Sequence, residues 1–415
     1  MKATPIGAGA GSLNATPGMT LRPTSLDELQ TALADTTRTH PRLLIAANGT
    51  AADWGGRPEP MDASVDVTGL SGVLVYNPAD MTMAVRAGTP LAVVQDELSK
   101  NRQRVAFDAA RVARGATLGG LLATADGGPS RQCFGILRDL VIGVTVVLAD
   151  GTVARSGGHV IKNVAGYDLA KLFHGSFGTL GVVAEVVLRL HPQPRTEATV
   201  EIPGTAEEAF AAAGRIVGSA LDATALEWVH DEDAGSRLLV RLEGTPDGVT
   251  ERVVTATALA DGRARTLGGE AADAAWRSVA AVADGTDGDT VLRVGSLPSE
   301  GPRLVGLIAA VAADSKVDVA VSSTIAAGVH TVRLRGGDRG AHDQVLRALR
   351  PVVGAPCTVH RRDGLGPDTS SWVAPPPAAP LMRAIKQQFD PQGRLGNGRF
   401  APWLTAPGPR EKKTS

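Results

Sequence analysis

Aromatic residues are scarce in this chain of 415 residues, 3% in all, and only two of them are tyrosines. Large aromatic clusters are therefore not the basis of its packing, which falls to the abundant glycine and alanine. Cysteine is almost as rare. Cys133 and Cys357 lie far apart with no C-x-x-C spacing, which argues against a disulfide framework and a zinc or iron–sulfur site. Two buried thiols in a reducing cytosol are expected. Excess charge is missing too: 42 basic residues face 43 acidic ones, so no whole-molecule field attracts nucleic acid or an anionic membrane. No apolar run approaches the roughly 20 residues needed to span a bilayer. Met1 to Thr16 also lacks the continuous apolar core of a signal peptide. A cytoplasmic protein is expected, at most peripheral to the inner membrane through partners. What is present, 43% hydrophobic and 20% charged residues, is the balance of a globular protein long enough for more than one domain.

Leu26, Leu29 and Leu33 recur at helical spacing behind Thr24 and Ser25, which predicts a capped helix up to about His40. A short apolar strand, Leu43 to Ala47, then runs into a glycine turn. Short β-branched runs follow between Val65 and Gly88. Thr89 to Lys100 reads as a helix with Pro90 in its first turn. Arg114 to Arg131 is glycine-rich and weakly periodic. The stretch "DLVIGVTVVLADGTV" predicts a hairpin turning at Asp150-Gly151. Pro192 and Pro194 mark a boundary. Beyond it, strands such as "RLLVRLEG" alternate with alanine-rich helices, the pattern of a small α+β domain. A proline-rich linker, an amphipathic helix and the segment "FDPQGRLGNGRF" close the chain, ahead of a polar tail expected to be disordered.

Three segments offer backbone to an anionic ligand. Asn48-Gly49-Thr50 follows a strand, and a residue without Cβ lets the chain approach a pyrophosphate. An ordinary surface turn would look the same. It is neither a P-loop nor a G-x-G-x-x-G turn. In "RGATLGGLLATADGGPSR", the pairs Gly119-Gly120 and Gly127-Gly128 flank an Ala/Leu turn. Amides there, with the Thr117 and Ser130 hydroxyls, could face a dianionic linker. The third segment, "VIKNVAGYDLAKLFHGSFGTLGVVAEVVLRLHP", is the most specific.

That segment resembles the FAD-binding domain of the vanillyl-alcohol-oxidase, or PCMH, type. The resemblance rests on Asn163, Gly166, Tyr167, Asp168, Leu169, Leu172, Gly175, Ser176, Gly178, Thr179, Leu180, Gly181 and Val182, in order over about 20 residues. "YNPADMTMAVRAG" is similar to the family's Pro-x-Asp segment, "GATLGG" to its FAD loop, and "FDPQGRLGNGRF" to its closing element. In that element Gly398 follows Asn397 where the family has proline. Within the family the Lys-Asn-Val-Ala-Gly-Tyr-Asp run resembles the FAD-binding subunits of bacterial glycolate oxidases. Phe177 stands where the larger flavoprotein relatives carry Glu.

The resemblance implies an α+β fold, with a two-subdomain PCMH-type FAD-binding domain in 1–195 and a smaller α+β cap domain in 196–355. Residues 356–415 would form a C-terminal strip returning to the FAD domain, and a tail. It implies one noncovalent FAD held by Asn48, Gly49, Thr50, Pro78, Asp80, Thr117, Leu118, Gly119, Gly120, Asp126, Gly127, Ser130, Asn163, Gly166, Tyr167, Asp168, Gly181, Val182 and Val183. Gly181 to Val183 would set main-chain groups against the adenine or the ring edge. Implied partners are a second FAD subunit, an iron–sulfur subunit and a small 2-hydroxy acid, glycolate being oxidised to glyoxylate. A free-standing 2-hydroxy-acid dehydrogenase using His174 or Tyr167, or a flavin-binding assembly scaffold, are the alternatives. The Gly-Asp-Gly-Asn…His and Glu-His-Gly segments of the larger relatives are missing. No metal cluster and no catalytic base emerge, and His159, His174, His191 and His330 are scattered.

Overall fold

The computed structural model describes residues 18–160, 166–231, 235–350, 357–372 and 375–404. The first helix, α1 (Leu26–Thr39), starts as expected, with the Ser25 hydroxyl accepting the Glu28 amide at 3.1 Å and with Leu29 and Leu33 fully buried. Strands β1 (Met19–Leu21), β2 (Leu43–Ala46) and β3 (Ala63–Asp66) make a small parallel sheet in the order β1-β3-β2. Next come β4 (Val73–Asn77), β5 (Thr82–Arg86), β6 (Gln103–Arg104), β7 (Val141–Val147), β8 (Val153–Gly157), β9 (Val182–Arg189) and β10 (His191–Pro192). Five of these form an antiparallel sheet ordered β4-β5-β9-β7-β8, while β6 pairs with β10. The β7–β8 hairpin turns at Gly151, whose φ of +89° suits a residue without Cβ.

Alternation along the central strands builds two cores. Val146 and Val183 pack under α2 (Leu91–Ser99), α3 (Leu118–Ala123), α5 (Leu137–Leu140) and α6 (Leu169–Phe173), whereas Val147 and Val182 face α1 and the parallel sheet. The short α4 (Arg131–Phe134) precedes α5 and carries Cys133, which is exposed. The expectation of two buried thiols is thus corrected: Cys357 alone is buried. The stretch expected as a weakly periodic loop contains α3, because Thr117 caps it by accepting the Gly120 amide at 3.2 Å.

The cap is an eight-stranded antiparallel sheet of β11 (Thr196–Pro203), β12 (Ala225–Asp231), β13 (Gly235–Gly244), β14 (Arg265–Leu267), β15 (Thr290–Gly295), β16 (Asp318–Thr324), β17 (Val329–Arg335) and β18 (Cys357–Arg362). Its order is β14-β11-β13-β12-β16-β17-β15-β18. Helices α7 (Ala206–Val217), α8 (Pro246–Leu259), α10 (Gly301–Asp314) and α11 (Ala341–Leu349) cover one face, α9 (Gly269–Asp284) part of the other. The edge strand β18 corrects a boundary. Sequence places 356–415 in the returning strip, but Cys357–Arg362 pairs along β15. Only Cys357 and Val359 of that strand face the main apolar core, too few for a period-two signal.

After α12 (Ala379–Phe389) the chain does return to the first domain. The Leu43 amide donates to Arg394 O at 2.7 Å, and Leu395 bridges Leu43 in parallel register. Arg394 is buried and donates to the carbonyls of Leu33 at 3.0 Å and Pro41 at 3.2 Å and to the Thr36 and Thr37 hydroxyls. Gly398 has φ +87°, and a Cβ there would lie 2.2 Å from Arg57 O. Proline, locked near −65°, could not make this turn. Among the described residues no helix is long and apolar enough to cross a membrane.

Candidate functional site: two cavities that meet at Arg111

A narrow slot of about 170 Å³ opens in the first domain, lined by Leu44 to Ala52, Val67, Arg111, Thr117, Gly119, Gly120, Phe177, Gly178, Gly181 to Val183 and Arg399. The end of β2 supplies the first wall. Beyond it Gly49 adopts φ +70°, and a Cβ built on it would meet nothing within 4 Å. Among the described residues no protein acceptor meets the amides of Gly49, Thr50 and Ala51. Open amides at a turn without side-chain bulk are what a pyrophosphate requires. Apolar Leu44, Ile45, Val182 and Val183 give the slot a wall suited to an aromatic base or ring. The residues present therefore fit FAD.

The second glycine segment contributes differently from expectation. The Gly119 amide donates to Ala87 O at 2.7 Å, and the Gly120 amide is taken by Thr117, so neither is left for a ligand. A Cβ on Gly119 would meet the Ala87 Cβ at 3.0 Å, and one on Gly181 would meet Phe173 and Val147 O, each at 3.0 Å. These glycines let elements pack closely beneath the slot. Leu118 is buried in the core. The Ser130 hydroxyl donates to Asp108 Oδ1 at 2.6 Å and lines neither cavity. Pro78 and Asp80 form the exposed tight turn between β4 and β5, away from both cavities. Gly166 and Asp168 are exposed, and the Tyr167 side chain is 90% exposed. His174 is half-buried away from both cavities, and the desolvation of its ring pushes its pKa down to about 4. Asn163 lies outside the described residues.

The larger cavity, about 510 Å³, lies between the first domain and the uncovered face of the cap sheet. Period-two alternation explains its chemistry. Leu226, Trp228, Val240, Leu242, Leu292, Val294, Val321 and Val332 point into the helix-covered core. The intervening Glu227, Arg241, Glu243, Arg293, Ser322 and Thr331 face the cavity. Across it the first domain presents Trp54, Arg104, Asp108, Arg111, Asp126, Gly127 and Arg131. Ion pairs lace the walls: Arg104 with Glu243, Arg241 with Asp108 at 3.1 Å, and Arg293 with Asp126 at 3.2 Å.

Arg111 borders both spaces. Its guanidinium donates to Asp126 Oδ2 at 2.9 Å, to the Thr50 hydroxyl at 2.9 Å and to the Thr124 hydroxyl at 2.7 Å. It also lies 4.3 Å above the Trp54 ring, which stacks on His360 at 3.5 Å. Burial alone would raise the Asp126 carboxyl, but Arg111 and Arg293 outweigh it and hold the group below its ordinary value. Burial also keeps His360 neutral, its pKa far below the usual imidazole range. Donor capacity is left over: Nε and Nη2 of Arg131 and Nε of Arg293 are buried and meet no acceptor among the described residues. Burial brings the Arg131 guanidinium down to about 10, still charged at neutral pH.

Of the residues singled out in the sequence, the slot thus gathers Asn48 to Thr50, Thr117, Gly119, Gly120 and Gly181 to Val183, and the cavity Asp126 and Gly127. Nothing in the local sequence pointed to Arg111, Arg131, Arg293, Trp54 or His360. A signal existed for Glu227 alone, a single acid between Leu226 and Trp228 in an apolar strand.

Residues 17–157 match the family model described as FAD binding domain, and FAD is the cofactor of this domain. The chain is 33% identical over 185 residues to the glycolate oxidase subunit GlcE of Escherichia coli, covering 45% of this chain and 51% of that one. A D-lactate dehydrogenase of Archaeoglobus fulgidus is 30% identical over 183 residues, 44% of this chain and 41% of the relative. The chain thus spans about half the length of these curated relatives. In structure it is similar to p-cresol methylhydroxylase, with a TM-score of 0.72 at 16% identity over 94% of this chain and 90% of that one. An alkyldihydroxyacetonephosphate synthase gives a TM-score of 0.68 at 16% identity, over 91% and 75%. The resemblance read from the third segment and the α+β PCMH-type fold are borne out.

Proposed function

We propose that this chain binds FAD noncovalently in the glycine-bearing slot and oxidises a small 2-hydroxy acid to the 2-oxo acid in the adjoining cavity, as the FAD-binding subunit of a glycolate oxidase complex. The observation that carries the reading is the junction at Arg111, where a slot fit for FAD opens beside a cavity holding unpaired guanidinium donors. A 2-hydroxy acid is an anion at neutral pH, and a planar carboxylate matches the N–H fork of Arg131. FAD, when bound, supplies the two-electron acceptor. Arg111 and Thr50 shape the junction, and Trp54 stacked on His360 adds an apolar wall that excludes water. Similarity to glycolate oxidase subunits and to D-lactate dehydrogenases supports the substrate class and a place in a multi-subunit enzyme, for which a second FAD subunit and an iron–sulfur subunit are the partners proposed.

The test is the visible spectrum of the purified full chain, followed by anaerobic mixing with glycolate and with D-lactate. A bound flavin bleached by a 2-hydroxy acid is expected. A colourless chain that takes up no added FAD would sink the proposal. Steady turnover with an artificial acceptor and no partners would sink its complex-bound part.

A further inference from the structure

The polar face of β12 carries one feature that the functional reading leaves unused. Glu227 is 2% exposed, between Leu226 and Trp228 in sequence. Its Oε1 accepts the Ser322 hydroxyl, while Oε2 is buried and meets no donor among the described residues. Arg131 lines the same cavity with Nε and Nη2 equally unmet, and the two side chains form no ion pair with each other. A buried acceptor without a donor, on one cavity with buried guanidinium nitrogens that meet no acceptor, is costly unless a ligand completes both. The ligand that would do so carries an acceptor next to a donor. A 2-hydroxy acid has that arrangement, with its carboxylate on C1 and its hydroxyl on C2.

Resting on the 2-hydroxy-acid reading above, we propose that Glu227 is the catalytic proton acceptor of this chain, taking the substrate hydroxyl proton while Arg131 holds the carboxylate. In the oxidation the O–H and C2–H bonds break and the C2=O bond forms. The hydroxyl proton passes to Glu227 Oε2. The C2 hydrogen leaves with two electrons, for which FAD is the oxidant.

The surroundings poise the group for this role. Burial raises its pKa to about 7, against the Ser322 and Thr324 hydroxyls and Arg131, which lower it. Asp108, paired with Arg241 of β13, adds to the rise. Elsewhere on the wall Arg293 of β15 is paired with Asp126, Arg104 with Glu243 and Arg277 of α9 with Glu270, His360 of β18 is neutral, and Glu197 of β11 and Asp273 of α9 add two further carboxylates. A base with a pKa near the working pH combines proton affinity with a large deprotonated fraction.

Two measurements on the full FAD-loaded chain test this. In single-turnover mixing with glycolate or D-lactate, Glu227→Gln should slow flavin bleaching by about 10²–10⁴-fold. Glu227→Asp should recover part of the rate, with a pH profile that still rises through neutrality. The second measurement needs no turnover. Oxalate, which sets a second carboxylate where the hydroxyl would lie, is titrated calorimetrically at neutral pH in buffers of different ionisation enthalpy. Proton uptake on oxalate binding is expected in the wild type and not in Glu227→Gln. Bleaching at the wild-type rate in Glu227→Gln, or uptake that survives the substitution, overturns the role of Glu227 alone. A wild-type flavin that no 2-hydroxy acid bleaches overturns the functional reading beneath it.

Discussion

Arg111 and Asp126 form a buried ion pair, Nε to Oδ2 at 2.9 Å, with side chains only 3% and 4% exposed. The pair stands where the glycine-bearing slot and the larger cavity adjoin, and the guanidinium binds Thr50 in the first turn of the slot. Removing one partner strands a buried charge. Arg111→Met and Asp126→Asn should each cost about 3–5 kcal/mol, read as a lower melting temperature, with loss of retained FAD. Arg111→Lys should fare nearly as badly, because an ammonium cannot serve Asp126, Thr50 and Thr124 in one plane. A Lys variant that kept full FAD content would show that the planar fork is not needed.

Glycines around the slot should separate into two classes. Gly49 has room for a Cβ but a φ of +70°, so Gly49→Ala should cost about 1 kcal/mol of fold and weaken FAD binding more than stability. Gly119→Leu and Gly181→Leu would drive side chains against Ala87 and against Phe173 and Val147, losing colour and fold together. Melting curves beside flavin absorbance distinguish the classes. Colour lost from a well-folded Gly181→Leu would instead mean that this residue meets the cofactor directly.

The raised pKa of Glu227 has a stability consequence of definite sign. The folded state holds this proton up to about pH 7, whereas the unfolded chain releases it near 4.5. Between those values the folded state binds the extra proton, so stability falls as pH rises and stays lower above 7. Glu227→Gln removes that penalty. Without bound anion it should gain about 3 kcal/mol relative to wild type at pH 8 over the same comparison at pH 4, seen as a smaller alkaline drop in melting temperature.

The returning strip depends on buried charge as well. Lys386 Nζ donates to Asp390 Oδ2 at 2.6 Å, Thr179 O at 2.7 Å and Leu395 O at 2.9 Å. Lys386→Met leaves Asp390 without its cation and should destabilise by about 3–5 kcal/mol. Faster proteolysis near α12 under native conditions would locate the damage, and an unchanged cleavage rate would count against a role in anchoring the strip.

Features written in local sequence were legible. The Ser25 cap with Leu29 and Leu33, the Asp150-Gly151 hairpin and the Asn48-Gly49-Thr50 turn each lie within a few residues, and the structure keeps all three. The large cavity was not legible. Glu227, Arg241, Arg293 and Thr331 lie on four strands, and only the sheet order brings them to one face. Arg111 sits in "DAARVARG" with nothing to tell it from Arg114, and three-dimensional burial alone distinguishes them. Motif matching also selected residues for their order rather than their position, which is how Pro78 and Asp80 came to be included though they occupy an outer turn.

The strip also sets a schedule. The Arg399 guanidinium donates to Ala52 O at 2.7 Å and Trp54 O at 3.0 Å, and its carbonyl accepts the Gly56 amide at 2.8 Å. The loop that follows the Gly49 turn is therefore fastened by a residue made some 340 positions later. A ribosome that has delivered the first domain and the cap has not yet delivered a closed slot. A chain shortened before Arg394 would emerge with its glycine turn still tied to Gly115 and Arg111, but without the bonds that fasten Ala52, Trp54 and Gly56.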